Sequence, residues 1–245
     1  MSRVAIVLIV VLATAAVSSG AFAGCCSGRT TCAVAPQTSG NTLTPEEKEA
    51  GWKLLFDGTT LNGWKCLKAN STGWKVENGA IYYDVSDGGM LYSTGRYGDF
   101  ELKIDFRVDK ETNSGIFFRW DKLNDPVQTG IEMQVLDSAG EKSPGRHSCG
   151  AVYEVLAPSE NAMKPALEWN TTLIRCNDNF ISITMNGKWI IRMDLNRWTQ
   201  AHMNPDGTQN KFDIAYKDMA RVGHIGLQDH GRKVWFKNIK VRELR

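Results

Sequence analysis

Apolar and polar side chains alternate most sharply in residues 99–108, where Phe100, Leu102, Ile104, Phe106 and Val108 interleave with Glu101, Lys103, Asp105 and Arg107. A period of two sends successive side chains to opposite faces, so this segment reads as a strand with one face in a core and one in solvent. Two further runs share the pattern. In 114–120, Ile116, Phe118 and Trp120 fall on one face and Gly115, Phe117 and Arg119 on the other. In 130–137, Ile131, Met133 and Val135 alternate with Glu132 and Gln134. The open face of this pair collects a guanidinium, a carboxylate and an amide, groups that bind hydroxyls and carbonyls.

Shorter strands are expected at 52–57, 64–67, 73–77, 80–85, 90–93, 150–156, 169–176, 180–185, 188–194, 223–229 and 233–243. Asn78-Gly79 and Asn186-Gly187 supply hairpin turns, since both residues tolerate positive φ. Helical signals are confined to 44–50, with Thr44 as N-cap, Pro45 in the first turn and Glu47 completing a capping box. Many short strands with turn signals, and almost no helical period, imply a β-sandwich or barrel. No dinucleotide glycine fingerprint, phosphate loop, nucleophile-elbow serine or H-E-x-x-H occurs, so no nucleotide cofactor or common protease chemistry is expected.

Composition refines this picture at the N-terminus. Met1-Ser2-Arg3, the uncharged run 4–17 and Ala21-Phe22-Ala23 read as a secretory signal peptide over residues 1–23. Phe22-Ala23-Gly24-Cys25 also resembles a bacterial lipobox, so a membrane attachment is expected only if Cys25 carries lipid. The protein is expected to be exported, to a periplasm or beyond. Residues 24–44 form a tether rich in Cys, Thr and Ser, and residues 45–245 one domain. The six cysteines (Cys25, Cys26, Cys32, Cys66, Cys149 and Cys176) permit disulfides without fixing their pairing. A net charge of +2 with acids and bases interspersed gives no sign of a nucleic-acid partner.

Several segments together resemble the 3-keto-disaccharide hydrolase domain family. They are Gly51-Trp52-Lys53-Leu54-Leu55-Phe56-Asp57-Gly58 with Leu61-Asn62-Gly63-Trp64; Asn113 to Arg119; Glu132 to Asp137; Glu168-Trp169-Asn170; and Ile225 to Gly231 with Val234 to Ile239. The resemblance implies an all-β, concanavalin A-like jelly-roll sandwich of two antiparallel sheets with a concave sugar-binding face. It also implies action on sugars oxidised at C3, hence a separate sugar 3-oxidoreductase as functional partner.

A ketone at C3 acidifies the C2 proton, and its removal lets the enolate expel the group at C1. Such a site needs a base, a cation or donor for the enolate oxygen, and an acid for the leaving oxygen. Glu132 is the candidate base or metal ligand, against the alternative of a solvated strand carboxylate. Gln134 shares its face and could orient a hydroxyl. Arg119 could stabilise the enolate or simply pair with Glu132. His147 suits acid–base work but sits in a loop, where surface histidines are common. Gln228 is a candidate sugar contact near the end of the expected strand 223–229, and His230 sits between two strands where a turn could aim it at the site or at solvent. Trp169, equally readable as core, and Asn170 are further candidate sugar contacts.

No cofactor is certain; a divalent metal on Glu132 and Asp137 is possible. Those two residues also suggest a paired-carboxylate glycosidase, which requires a bulge because an offset of five in a regular strand separates the faces. A non-catalytic lectin-like module is the third reading.

Overall fold

The computed structural model describes residues 40–244. The expected signal peptide, the lipobox with Cys25, and Cys26 and Cys32 lie outside the described residues. Strands are numbered along the chain. The larger sheet runs in the order β11 (Lys188–Asp194), β10 (Phe180–Met185), β9 (Asn170–Asn177), β6 (Phe100–Val108), β13 (Val234–Glu243), β4 (Ala80–Tyr83), β3 (Trp74–Glu77), and β1 (Lys53–Leu54) also pairs with β13. The smaller runs β2 (Trp64–Cys66), β5 (Leu91–Ser93), β12 (His224–Leu227), β7 (Asn113–Trp120), β8 (Ile131–Leu136). Every pairing within the two sheets is antiparallel.

The expected alternation builds the core. Phe100, Leu102, Ile104 and Phe106 of β6 join Ile116, Phe118, Met133 and Val135 of the smaller sheet in one cluster with no exposed surface. Burying each such side chain contributes about 1.5–3 kcal/mol, which commits the faces and so the register. The capping box at α1 (Pro45–Glu49) forms as expected: Glu47 N–H donates to Thr44 Oγ1 and Thr44 N–H to Glu47 Oε2, each at 3.2 Å. Glu47 also accepts from Lys103 at 2.8 Å and Lys240 at 2.7 Å, pinning the helix to the outer face of the larger sheet.

Two segments depart from simple alternation, and both shape the open face of the smaller sheet. Arg119 has φ +50°, and the register of β7 with β12 slips between His224 and Gly226. Beyond this bulge the faces exchange. Trp120 leaves the core side expected for it and packs outward with Phe117 and Met90, while Arg119 is turned in and fully buried. Residues 150–156 are turns instead of a regular strand. Positive φ at Gly150 (88°) and Glu154 (67°) breaks extension. Their backbone nevertheless docks on the free edge of β8, through Gln134 N–H to Ala151 O (2.9 Å), Gly150 N–H to Gln134 O (2.8 Å) and Tyr153 N–H to Glu132 O (3.0 Å).

Candidate active site

The outward positions of β8, β7 and β12 meet on the open face: Glu132 and Gln134, Gly115 and Phe117, then His224, Gly226 and Gln228. Pairing sets Phe117 opposite Glu132, Gly115 opposite Gln134 and Gly226 opposite Phe117. Two glycines make this floor usable. A Cβ on Gly226 would stand 2.8 Å from the Trp120 ring, and one on Gly115 would stand 2.2 Å from Glu132 Oε1.

Glu132 is the singular group here. Its carboxylate has no hydrogen-bond or ion-pair partner among the described residues, and it sits in a largely buried place. Burial pushes its pKa up from 4.5 to about 7, against the opposing pull of the Lys211 ammonium. A carboxyl group poised near neutrality can take a proton and later return it.

Around Glu132 stand groups from two loops. Burial, with Glu154 and Glu132 beyond, raises the Tyr153 phenol. The Tyr153 ring carries the Lys211 ammonium on its face at 4.2 Å and packs against the His147 ring at 4.9 Å between centroids. His147 Nε2 lies 3.2 Å from Glu154 Oε1, forming an acid–base pair at the rim. Tyr216 is fully buried with no partner for its hydroxyl, and burial, then the Glu132 and Glu154 charges, raise its pKa well above 10. Gln128 holds the loop bearing Lys211 in place, donating to Lys211 O at 3.0 Å and accepting from Asp213 N–H at 2.9 Å.

The rest of the face is polar with an aromatic wall. Gln134 donates to Asn113 Oδ1 at 3.1 Å. Gln228 backbone N–H donates to Gly115 O at 3.0 Å, and its side-chain Oε1 is buried without a partner. An acceptor left unpaired by the described residues can take a hydroxyl donor. His224 Nδ1–H donates to Ser93 O at 2.7 Å, which fixes the tautomer in which Nε2 is the acceptor. Its ring meets Tyr92 edge-on at 5.5 Å.

Glu132, Gln134, His147 and Gln228 are thus placed on or beside one face, whereas other sequence candidates lie elsewhere. Arg119 is a strut: it donates to Gly98 O (3.0 Å), Asp178 O (2.7 Å) and Asp99 Oδ1 (3.0 Å), tying β7 to the larger sheet, and makes no pair with Glu132. Trp169 lies on the larger sheet under Lys237 (4.1 Å) and Arg107 (5.0 Å). Asn170 is fully buried and bonds Lys164 N–H and Asn186. Asp137 follows the end of β8 and caps Glu111 N–H at 3.0 Å. The pairing of β8 with β7 runs from Asn113↔Leu136 to Phe118↔Ile131 without a slip, so the bulge needed to bring Asp137 beside Glu132 is absent there. No three His, Cys, Asp or Glu side chains converge as a metal-ligand group among the described residues. His230 is exposed in the turn after β12.

Cys149 and Cys176 are unbridged, and burial pushes both thiols up to about 12, leaving no thiolate for nucleophilic work at neutral pH.

Tyr153, Glu154, Lys211, Tyr216 and His224 were not singled out by the sequence. Only His224 carried a signal, since His224, Gly226 and Gln228 alternate with Ile225 and Leu227. The others come from loops, where periodicity is silent.

Fold and face together define a sandwich of two antiparallel sheets with a candidate carboxylate site on the smaller sheet. The chain belongs to the family described as the 3-keto-alpha-glucoside-1,2-lyase-like domain, whose model matches residues 51–242. It is 29% identical over 229 residues to a 3-keto-disaccharide hydrolase of Bacteroides thetaiotaomicron, covering 79% of each chain. Two crystal structures of presumed glycosyl hydrolases from Parabacteroides distasonis are also similar. One has a TM-score of 0.71 at 31% identity, over 79% of this chain and 99% of that one. The other has a TM-score of 0.70 at 26% identity, over 84% of this chain and all of that one.

Proposed function

We propose that this protein is an exported glycoside-cleaving hydrolase of 3-keto sugars, acting by elimination and hydration with Glu132 as the base. The observation that carries the proposal is the unpartnered, half-buried Glu132 carboxyl, poised near pH 7 on an open polar face. The names of the relatives supply the substrate class.

In this reading Glu132 takes the C2 proton of the 3-ketoglycoside, and the electrons form an enolate on the C3 oxygen. Lys211 stands nearest in charge to Glu132 and stabilises that oxygen. The enolate expels the C1 oxygen, which takes a proton from the His147–Glu154 pair, leaving an enone. Water then adds at C1 and gives its spare proton back to the His147–Glu154 pair, while protonated Glu132 returns a proton to C2, so both groups are restored and the net change is hydrolysis. Gln134 and Gln228 orient hydroxyls, and the phenols of Tyr153 and Tyr216 are additional donors. Since the substrate must arrive as a ketone and this chain shows no dinucleotide fingerprint, a separate sugar 3-oxidoreductase supplies it.

The test is turnover of a chromogenic 3-keto-β-glucoside in D₂O. Aglycone release with deuterium at C2 of the product, lost in Glu132→Gln and absent with the unoxidised glucoside, is expected. Release with hydrogen retained at C2, together with no primary isotope effect from a C2-deuterated substrate, would overturn elimination in favour of direct displacement at C1.

A further inference from the structure

The outer face of the larger sheet takes no part in this chemistry, yet its free edge is built as a site. Phe180 and Trp189, 58% and 53% exposed, are the only aromatic side chains among the exposed large hydrophobics of the described residues. They flank a hollow of about 440 Å³ on β10 and β11, walled by Arg175, Arg192 and Arg197. Arg175 is paired with Glu101 at 2.7 Å, a carboxylate that it shares with Arg242. Arg192 lies over the Trp189 ring at 5.0 Å. Neither the Arg192 nor the Arg197 guanidinium makes a hydrogen bond or ion pair with the described residues. Asp194, the one acid in the wall, already accepts from Asn179 and from Asn196 N–H.

An edge strand needs charge to discourage pairing with other chains, and the arginines alone would serve that end. Exposed Trp and Phe rings beside a hollow work against it, so the edge carries a second requirement. We propose that this hollow binds an acidic polysaccharide chain, with pyranose rings against Trp189 and Phe180 and carboxylates on Arg192 and Arg197. Trp189 pairs opposite Thr184, four residues from Phe180 along β10. At about 3.4 Å per residue the backbone positions that carry the two rings are about 14 Å apart along the strand, room for more than one sugar unit. Guanidinium forks match carboxylates in geometry and charge, whereas a neutral glycan leaves both unpaired. Two rings are a small patch beside the roughly 800 Å² per partner of a stable protein interface. The site stands on the sheet opposite Glu132, so it tethers the enzyme to a matrix without occupying the reaction centre.

Affinity electrophoresis of the full chain in gels with polygalacturonate, or with a neutral β-glucan, tests this directly. Retardation is expected with polygalacturonate alone. Trp189→Ala and Arg192→Gln should each weaken it about tenfold, the equivalent of about 1.4 kcal/mol, with unchanged circular dichroism and unchanged turnover of a small 3-keto-glycoside. Because the readout is retention, it stands whether or not the proposed chemistry holds. No retardation, equal retardation by neutral glucan, or retardation indifferent to both substitutions would overturn the site. So would self-association abolished by Trp189→Ala, which would make the occupant a second copy of the chain.

Discussion

The carboxylate of Glu132 lies across the bare backbone of Gly115: a Cβ at residue 115 would stand 2.2 Å from Oε1 and 2.9 Å from Cδ. Their strands are neighbours, and Gly115 pairs with Gln134, two positions along from Glu132. Without a side chain at 115 the carboxylate can rest flat on the sheet, withdrawn from water and free of partners. That placement is the physical origin of its raised pKa. A strand interior loses stability with glycine, so the residue here answers a demand of the site.

Gly115→Ala should therefore damage chemistry far more than folding. The methyl displaces the carboxylate by an ångström or more, and misplacement on that scale costs about 100-fold in rate. Overpacking costs about 1–3 kcal/mol, partly offset as Glu132 moves toward water. Steady-state kinetics beside thermal denaturation reads both numbers. Full activity in Gly115→Ala would remove Glu132 from the role of base.

Titration of Glu132 links activity to stability in opposite directions. A base must be ionised, so kcat/KM should rise with pH through about 7. For stability, the folded pKa of about 7 exceeds the unfolded 4.5, so the folded state binds more protons between those values. The Glu132 contribution to stability is therefore fully present below 4.5 and is lost as pH rises through 7, by about 3 kcal/mol for a shift of this size. Glu132→Gln should abolish turnover and flatten this fall, becoming relatively more stable than the parent at pH 8. Glu47 does not confuse the window. Burial pushes Glu47 upward, but hydrogen bonds from Lys103 and Lys240 prevail and hold it at about 2, so its contribution is lost only as pH falls below the ordinary carboxylate range. Denaturation midpoints across pH 5 to 8 decide the matter.

Lys211 tests whether a loop supplies the cation that alternation assigned to a strand. Its charge draws the Glu132 pKa down, so Lys211→Met should move the acid limb of kcat/KM to higher pH. If the same ammonium meets the enolate, the plateau should also fall about 100-fold, the usual scale for losing one oxyanion donor. Lys211→Arg should restore the limb's position. A limb that stays fixed would show that Lys211 acts only on the Tyr153 ring.

The sequence was most legible where one rule governs each residue. β6, β7 and β8 had to bury one face, and their alternation placed Glu132 and Gln134 on the other. Legibility failed at Arg119, because the sign of φ is not written in a periodic pattern: one residue at +50° exchanged the faces of Arg119 and Trp120. It failed again for Lys211 and Tyr216, which reach the site through a connection held by single hydrogen bonds to Gln128 and by burial of aromatic rings. Asp137 shows the limit of spacing arguments. Its offset from Glu132 mimicked a catalytic pair, but the regular β8 ladder sends it to cap Glu111.

Arg119 separates the alternation-based expectation from the structural one. An arginine on the open face would stabilise the enolate, and its loss would lower kcat without unfolding the protein. The buried strut behaves in reverse. Its three hydrogen bonds satisfy two backbone carbonyls and the half-exposed Asp99, and leaving a buried carbonyl without its donor costs about 1–3 kcal/mol. Arg119→Met should lower the denaturation midpoint strongly, since the Gly98 and Asp178 carbonyls lose their donor and the β7 bulge loses its hold on the larger sheet. Measured well below its own midpoint, the folded variant should keep the pH limb of the parent, because nothing that sets the Glu132 pKa has been touched. A stable Arg119→Met protein with collapsed kcat would return Arg119 to the chemistry and require the open face to be rebuilt around it.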